Sequence, residues 1–224
     1  MAEIVLHGFW RSSCTHRVQL ALRLKGLDFE YRSVHLGRRE QEEPAFRAIS
    51  PAGQVPVLEM DGRRLTQSLA IIVWLQARFP GRGPVLVPEQ PEQRAQAWEI
   101  AERINSFVQP FQLPGGVKRP LVRQLGLDPE AAASRLKAFS IRLIDDSLAL
   151  LDHHVEQGMS GRYCVGDSVT IADLVLIPQL DGAERLGCDV ARHATLSRIR
   201  EACMSLQAFQ DADPRRQPDA PTVR

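Results

Sequence analysis

The stretch IVLHGFWRSSCTHRVQLALRLKG, residues 4–26, decides how the first part of this chain folds. Its opening apolar run, residues 4–6, is typical of a short buried strand. The polar cluster at residues 11–17 comes next, and from Val18 onward apolar residues recur at the spacing of one helical face. Gly26 stands where a left-handed residue ends a helix at little cost. The stretch therefore predicts a strand, a loop and a helix in that order.

The residues that follow complete a small α/β unit. Residues 29–34 alternate in polarity as a strand does, and residues 55–58 begin another strand. The Asp-Gly pair at residues 61–62 is a hairpin turn signal that leads into a further strand. A last helix with one apolar face then ends before Pro80. The order β-α-β followed by β-β-α predicts an α/β sandwich over residues 1–80.

A second domain made only of helices is predicted for the rest of the chain. Glycine and proline concentrate in residues 81–91, which we interpret as a linker. In residues 92–224 every apolar periodicity is helical, which predicts a helical bundle. Pro110 is expected to kink one helix, and the proline-rich residues 213–224 are expected to form an extended surface tail. The apolar stripe of the longest predicted helix comprises Leu136, Phe139, Leu143, Ile144, Leu148, Leu150 and Leu151.

The start of another helix in this domain carries a capping signal. Thr170 and Asp173 have the spacing of a capping box, in which each side chain bonds a backbone N–H at the helix start. Val169 and Leu174 are placed as a hydrophobic staple across the same turn. Thr170 and Asp173 are therefore predicted to be structural rather than part of a ligand site.

Composition limits the classes of function. The 28 basic and 27 acidic side chains nearly cancel, so no overall field favours nucleic acid or an anionic membrane, although a small anionic ligand is compatible. The chain shows neither a secretory leader pattern nor the roughly 18 apolar residues that a membrane span needs, which predicts a cytoplasmic protein. Four widely spaced cysteines lack the pairing of a zinc site and are expected to be reduced thiols, with no metal bound.

The polar cluster before the first helix is a candidate for chemistry. Backbone N–H groups and the positive end of the helix dipole favour an anion there, and a thiolate is one such anion. A hydroxyl of Ser12 or Ser13 is placed to donate a hydrogen bond that lowers the pKa of a thiol. A serine in front of a helix is more commonly an N-cap, and spacing alone favours that simpler role.

Two further segments suit a small ligand. The bond between Val55 and Pro56 precedes a strand, where a cis peptide would shape a ligand-facing turn, although most such bonds are trans. Gln67 and Ser68 stand at the start of the last helix of the first domain, where an amide, a hydroxyl and free N–H groups suit a carboxylate. An ordinary serine N-cap would look the same in the sequence.

Taken together, several motifs resemble those of the zeta class of glutathione transferases, and the likeness covers essentially the whole chain. The segments that carry it are SSCTHRV (12–18), GQVP (53–56), QSLAII (67–72), YCVGD (163–167), ADL (172–174), PQ (178–179), AER (183–185) and RQPD (216–219). The resemblance implies a thioredoxin-like N-terminal domain that binds glutathione and an all-helical C-terminal domain that supplies most of the second-substrate pocket. It also implies a homodimer.

The same resemblance implies roles for residues on the glutathione side. Ser12, Ser13 and Cys14 match the family's thiolate motif. Val55 matches the residue whose backbone pairs with the glutathione cysteine, and Gln67 and Ser68 match the residues that bind the γ-glutamyl end. The implied catalytic residues are Ser13, Ser12 and Cys14, and the implied glutathione-binding residues are Val55, Pro56, Gln67, Ser68, Gln109 and Gln112.

For the second substrate the resemblance implies Arg185 near a carboxylate, with Arg11 as a weaker candidate. A guanidinium binds a carboxylate through two parallel hydrogen bonds, whereas most helix arginines are simply solvated. His16 stands in the first turn of the first helix, where we expect a local role rather than that of a general base.

The implied activity is glutathione-dependent cis–trans isomerisation of an unsaturated dicarboxylate, with glutathione transferase activity beside it. Maleylacetoacetate is the favoured substrate, which implies a place in aromatic amino acid catabolism. His16 and Leu113 replace a tryptophan and an asparagine of the family motif, and residues 34–37 look like those of maleylpyruvate isomerases. Maleylpyruvate is therefore the second candidate substrate.

Two other classes of function stay open. Cys14 at a helix N-terminus is placed to form a mixed disulfide with glutathione, as a thiol-disulfide reductase would require. A non-enzymatic binding protein that kept the fold is the other alternative, because fold alone does not determine function.

Overall fold

The structure, a computed structural model, describes residues 3–112, 119–126 and 128–221. Its contacts divide the chain into two compact units, Met1–Val87 with Met204–Arg224, and Pro88–Cys203. The change from one unit to the other after Val87 falls inside the predicted linker. Leu113, which replaces a family asparagine, lies outside the described residues.

The first unit is built on a four-stranded mixed sheet. Before Val87, its strands and α-helices are β1 Ile4–Gly8, α1 Ser13–Leu24, β2 Glu30–Ser33, α2 Pro44–Arg47, β3 Val57–Met60, β4 Arg63–Thr66 and α3 Ser68–Arg78. The strand order is β2-β1-β3-β4, with β1 parallel to β2 and antiparallel to β3, and β3 antiparallel to β4. The predicted β-α-β and β-β-α order is confirmed.

Two turns of this unit adopt the conformations that their glycines predict. Gly26 has φ +60°, and the N–H of Leu27 returns to the carbonyl of Leu22, which closes the end of α1. Asp61 and Gly62 both have positive φ, 50° and 71°, as a two-residue turn of type I′ requires. Three short helical segments between β2 and β3, of three or four residues each, are absent from the prediction because they are too short to show periodicity.

Within its described residues the second unit contains helices and an isolated β-bridge between Ser160 and Gly166, but no strand. Its helices are α4 Pro91–Glu102, α5 Gln109–Gln112, α6 Arg119–Gln124, α7 Pro129–Gln157, α8 Ile171–Leu186 and α9 Ala194–Met204. The prediction of an all-helical domain is confirmed.

Pro110 accompanies a break in regular helix, as expected, but the break has a specific form. The α-helical ladder of α4 ends at Glu102, a π-helical segment occupies Arg103–Val108, and α5 contains the proline. Proline lacks the N–H that would bond back four residues and its ring crowds the preceding turn, so a wider turn before it relieves the conflict.

The predicted apolar stripe of α7 is wrong in part. Ile144, Leu148 and Leu151 are buried, whereas Phe139 and Leu150 are 55% and 67% exposed. The buried residues recur every three or four positions along one face, and the exposed pair lies on another face of the same helix. A helix of 29 residues presents more than one apolar row, and sequence periodicity does not tell which row faces the core.

The C-terminal residues also differ from the prediction. Residues 204–224 cluster with the first unit rather than with the helical domain. A short helix, α10 Gln207–Asp211, precedes the residues predicted to form an extended surface tail, 213–224. Within those residues there is a 3-10 helix at Pro214–Arg216, and Gln217 beyond it is buried. Proline-rich composition indicates extension, but here Phe209 supplies a buried apolar side chain that gives the segment a place on the fold.

The capping box at the start of α8 is confirmed. The Thr170 hydroxyl accepts the N–H of Ala172 at 3.3 Å, and the Asp173 carboxylate accepts the N–H of Thr170 at 2.8 Å. Asp173 is fully buried and also accepts the N–H of Cys164 at 2.8 Å. The bonds of the capping box satisfy backbone donors at the start of the helix, and the bond to Cys164 ties that start to the preceding loop.

We expect Thr170→Ala to lower the free energy of unfolding by about 0.5 to 2 kcal/mol, because one N-terminal N–H of α8 loses its acceptor. Urea denaturation of the purified variant measures this. Ser134→Ala removes a hydroxyl from an exposed position within α7 and is the control for the loss of a hydroxyl that caps no helix. Equal stability of the two variants would show that the cap contributes nothing.

Candidate active site

The pairing register of the sheet brings the candidate segments of the first unit to one edge. His7 of β1 lies opposite Val57 of β3, and Val57 lies opposite Thr66 of β4. The end of β1, the start of β3 and the end of β4 therefore share an edge. Because α1 follows β1 and α3 follows β4, both helices begin at this same edge.

The N-terminus of α1 combines a capped turn with buried polar side chains. Ser12 is the N-cap, and its hydroxyl accepts the N–H of Thr15 at 3.2 Å. The capping bond uses a lone pair of Ser12 and leaves its hydroxyl hydrogen able to donate. Ser13 is buried and is the first residue of the helix, Cys14 is partly buried, and the first turn contains no acidic residue. The positive helix end is thus not neutralised by its own sequence.

The loop between β1 and α1 is held close to the sheet by a glycine. A β-carbon on Gly8 would lie 2.3 Å from the Thr15 γ-methyl and 2.9 Å from the Tyr31 ring. The N–H of Phe9 donates to the Thr15 hydroxyl at 3.3 Å, and the N–H of Ser12 donates to the Phe9 carbonyl at 2.9 Å. The serines therefore follow a turn whose path is set by direct packing.

A fully buried arginine connects α1 to the start of α3. The guanidinium of Arg17 is 0% exposed, and its Nη1 donates to the hydroxyl of Ser68 at 3.3 Å. Sequence reasoning missed this residue. Its signal is a basic residue directly before Val18 in the apolar stretch of α1, a position where a charge costs free energy unless it is hydrogen-bonded. Arg17 places a positive charge behind the serine that resemblance assigns to the γ-glutamyl end.

The two remaining segments of the first unit have unusual backbones. The peptide bond between Val55 and Pro56 is cis. Gln67 precedes α3 and is exposed. Its φ is +69°, and a positive φ is uncommon for residues other than glycine. The buried hydroxyl of Ser50 donates to the Gln54 carbonyl at 3.0 Å and accepts the Gln54 N–H at 3.1 Å, which holds the loop before Val55.

The candidate residues of the second unit occupy different environments. Gln109 is buried and Gln112 half-buried, both on α5, while Arg185 is exposed in the last turn of α8. Gln112 accepts a hydrogen bond from the side-chain amide of Gln179, which is fully buried on α8. Gln179 orients Gln112, a role that its place in the PQ motif did not suggest by itself.

Arg11, the weaker arginine candidate, is exposed at the loop before α1. Its guanidinium carbon lies 5.7 Å from the centre of the Trp10 ring, within the range of a cation–π contact. His16 is buried on α1, and its local role stays a prediction.

The cysteines differ sharply in chemical character. Burial raises the pKa of the Cys164 and Cys203 thiols, and the carboxylate of Asp173 raises both further. Burial likewise raises the pKa of Cys188. A thiol becomes nucleophilic as the thiolate, so these three residues are poor candidates for reaction. None of the four cysteines, all of them described, forms a disulfide.

The described residues show neither a metal-binding cluster nor a membrane-spanning helix. In residues 3–112, 119–126 and 128–221 no group of three or more His, Cys, Asp or Glu is arranged to hold a metal ion. Across the same part of the chain, no helix combines the length and apolar character that a membrane span requires.

Sequence comparison identifies similar proteins along the whole chain. Residues 6–83 match the family model for the glutathione S-transferase N-terminal domain. The maleylacetoacetate isomerase of Mus musculus is 36% identical over 221 residues, which cover 97% of this chain and 95% of the mouse protein.

Solved structures agree with the sequence comparison. The maleylacetoacetate isomerase of Methylobacterium extorquens AM1, with bound malonate and GSH, has a TM-score of 0.88 and 37% identity over 97% of this chain and 100% of that one. A bacterial maleyl pyruvate isomerase described as a zeta-class glutathione S-transferase has a TM-score of 0.87 and 32% identity over 97% of this chain and 100% of that one.

We expect Gly8→Ala to lower the free energy of unfolding by roughly 1 to 3 kcal/mol, the usual cost of forcing a methyl group into a filled space. Adding Thr15→Ser to this variant removes the methyl group that lies 2.3 Å from the new β-carbon and keeps the hydroxyl. The double variant should therefore recover part of the lost stability.

Gly81→Ala is the matched control, since nothing lies within 4 Å of the added carbon there. Urea denaturation of wild type, Gly8→Ala, Thr15→Ser and the double variant gives the coupling between positions 8 and 15. Additive effects would show that Gly8 does not pack against Thr15.

Proposed function

This chain belongs to the zeta class of the glutathione S-transferase family, and from that membership we propose that it is a glutathione-dependent isomerase of an unsaturated dicarboxylate. Maleylacetoacetate is the substrate we favour, because the mouse and Methylobacterium relatives are maleylacetoacetate isomerases. The Methylobacterium structure also holds malonate, a dicarboxylate, together with GSH.

The sheet edge that carries the starts of α1 and α3 supports glutathione as the bound group. Neither helix has an acidic residue in its first turn, and buried Arg17 adds a positive charge between them through its bond to Ser68. Two helix N-termini and a guanidinium favour an anion. Glutathione offers anionic groups of two kinds, carboxylates and an ionisable thiol, so the residues present fit it.

We assign the hold on glutathione to two segments of the first unit. Val55, in the loop held by Ser50, pairs through its backbone with the glutathione cysteine, beside Pro56. Gln67 and Ser68 bind the γ-glutamyl carboxylate at the start of α3, where free N–H groups and the helix dipole both favour negative charge. Gln109 and Gln112 in the second unit complete the set of glutathione-binding residues.

Glutathione, when bound, supplies a thiolate that adds to the cis double bond, permits rotation about the resulting single bond and leaves again, so that it is regenerated. Ser13 or Ser12 donates a hydroxyl hydrogen bond to the sulfur and holds its pKa down by favouring the charged form. The N–H groups at the start of α1 add to the same stabilisation. Ser12 can perform this role while its oxygen caps the helix, because the capping bond leaves its hydroxyl hydrogen available. No protein–sulfur bond is needed, so Cys14 lies in the motif without being an obligate nucleophile.

Arginines are assigned to the carboxylates of the second substrate. Arg185 is exposed on α8, and its planar guanidinium can bind a carboxylate through two hydrogen bonds, which a lysine cannot. Arg11 is the second arginine of the proposal. Charge held at the substrate carboxylates also stabilises the enolate that develops during reaction.

Maleylpyruvate is the second candidate substrate, favoured by the likeness to the zeta-class maleyl pyruvate isomerase. The two acids share the cis double bond that the chemistry requires, so the same residues serve both. We further propose a homodimer in the cytoplasm, with a role in aromatic amino acid catabolism if maleylacetoacetate is the substrate.

The direct test is to assay maleylacetoacetate and maleylpyruvate side by side, with and without glutathione, by the absorbance change on isomerisation. We expect turnover of at least one acid that depends strictly on glutathione, with maleylacetoacetate the better substrate. Isomerisation without glutathione would overturn the proposed function.

Cys14→Ala in the same assay decides between isomerase and thiol-disulfide reductase. The isomerase should keep its turnover in this variant. A folded variant that still binds glutathione but has lost turnover, together with wild-type activity toward mixed disulfides, would establish the redox alternative. A wild-type protein that binds glutathione and has neither activity would be a binding protein.

We expect Arg185→Lys to lower kcat/KM for the dicarboxylate, with a loss of transition-state stabilisation of roughly 1 to 3 kcal/mol, the scale of a charge-assisted hydrogen bond. Glutathione affinity should stay nearly unchanged. Steady-state kinetics, glutathione titration and a melting curve on this variant are the measurements.

Arg142→Lys on α7 is the matched control, because that arginine side chain is 87% exposed and pairs with Asp146 one turn along the same helix. A simple surface arginine at 185 would change neither quantity. A structural ion pair would lower the melting temperature and weaken both ligands, and either result would remove Arg185 from the site.

A further inference from the structure

The C-terminal residues place a carboxylate against the loop that leads into α1. Oδ2 of Asp219 accepts the backbone N–H of Trp10 at 3.1 Å, the Tyr31 hydroxyl at 3.2 Å and the Ser33 hydroxyl at 2.9 Å. One donor comes from the loop after β1 and the other two from β2. A single carboxylate oxygen thus joins the end of the chain to two neighbouring parts of the first unit.

The segment that carries this carboxylate, which we name the C-terminal strap (residues 207–219), has its own anchor. The amide of buried Gln217 donates to the backbone carbonyls of Asp211 and Asp213 at 3.1 and 2.9 Å. Its oxygen accepts from the amide of Gln19 on α1 at 2.9 Å. The first two bonds hold the strap in its own fold, and the bond to Gln19 joins it to α1. None of them involves Asp219, so we expect the strap to stay on α1 when that carboxylate is removed.

The Trp10 N–H belongs to the turn that presents the serines. Trp10 stands two positions before Ser12. In this turn the N–H of Phe9 bonds Thr15 and the N–H of Ser12 bonds Phe9, both within the local chain. The acceptor for Trp10 is the exception, because Asp219 reaches it from 209 positions away in the sequence. A buried or half-buried N–H without an acceptor costs free energy, so the carboxylate restricts this turn to one conformation.

We propose that Asp219 is a positioning residue for the thiolate site: by holding the Trp10 N–H it fixes the turn from which Ser12 and Ser13 reach the sulfur of glutathione. The expected effect on the thiolate rests on the proposed function, whereas the contact between Asp219 and Trp10 does not. The hydroxyls must be within hydrogen-bond distance of the sulfur for the thiolate to be favoured, and a turn that samples several conformations presents them for a smaller fraction of the time.

The two hydroxyl donors keep the carboxylate in place. Burial raises the pKa of Tyr31, and the Asp219 carboxylate beside it raises the pKa further, so the phenol remains a protonated donor throughout the physiological range. Tyr31 also packs where Gly8 lacks a side chain, 2.9 Å from the position of a β-carbon. Asp219, Tyr31 and the turn at Gly8 therefore form one connected group.

The test compares Asp219→Ala, Asp219→Asn and the control Asp211→Asn. Asp211 lies in the same strap, and its described side-chain partners are Gln207 and Arg216 rather than the loop. The measurements are kcat, KM for glutathione, the pH midpoint of the ultraviolet thiolate absorbance of bound glutathione, and exchange of the Trp10 backbone N–H by NMR.

For Asp219→Ala we expect kcat to fall by about tenfold and the thiolate midpoint to rise by about one pH unit, on the order of one lost hydrogen bond. KM for glutathione should stay within about twofold, because Val55, Gln67 and Ser68 hold the rest of the molecule. Trp10 N–H exchange should be faster. Asp219→Asn keeps an acceptor oxygen and should fall between wild type and Asp219→Ala, and Asp211→Asn should match wild type.

A lower melting temperature with unchanged kcat and thiolate midpoint would show that Asp219 is only structural and would overturn the inference. Equal effects of Asp211→Asn would also overturn it, because charge rather than contact would then be responsible. Should Asp219→Ala fail to fold, Asp219→Asn against Asp211→Asn decides by the same readouts. If wild type proves unable to bind glutathione, the proposed function fails, and Trp10 exchange still tests the contact by itself.

Discussion

The pairing of β1 with a strand on each side is the constraint on which the rest of the first unit depends. β1 runs parallel to β2 and antiparallel to β3, and its register sets Gly8 beside Ser33 and His7 opposite Val57. A shift of one residue would exchange the two faces of the strand and move the start of α1 away from the start of β3. The candidate site exists because this register brings separate segments to one edge.

The positive charge at that edge follows from the absence of acidic residues in the first turns of α1 and α3 and from the presence of buried Arg17. The first turns of α1 and α3 carry no acidic residue that would neutralise their N-termini. Arg17 is buried between the two helices and donates to Ser68, which holds a positive charge where solvent cannot screen it well. An anionic ligand therefore gains from the helix ends and from the guanidinium together, and a carboxylate-bearing thiol such as glutathione suits both.

The loop that presents the serines is stabilised from three directions. Gly8 permits direct packing on Thr15 and Tyr31, the local hydrogen bonds of Phe9 shape the turn, and Asp219 holds it from the end of the chain. Such convergence is typical of sites in which small displacements alter reactivity, because hydrogen bonds to a developing or stabilised charge depend steeply on distance. The C-terminal residues thereby acquire a role that their composition does not suggest.

By itself the sequence determined the features that arise between near neighbours: the helix after residue 12, the Asp-Gly turn, the capping box at Thr170 and the family to which the motifs belong. The helix, the turn and the capping box each rest on residues within about four positions of one another, where periodicity and capping chemistry are local. The family rests on several such short motifs spread along the chain. Only the tertiary structure decided which face of α7 is buried, that Arg17 lies inside, that Gln179 orients Gln112 and that Asp219 bonds Trp10. These depend on contacts between residues far apart in the chain, 209 positions for the last pair. Local patterns carry no information about such contacts, because the free energy that selects them comes from packing and hydrogen bonding in the folded chain.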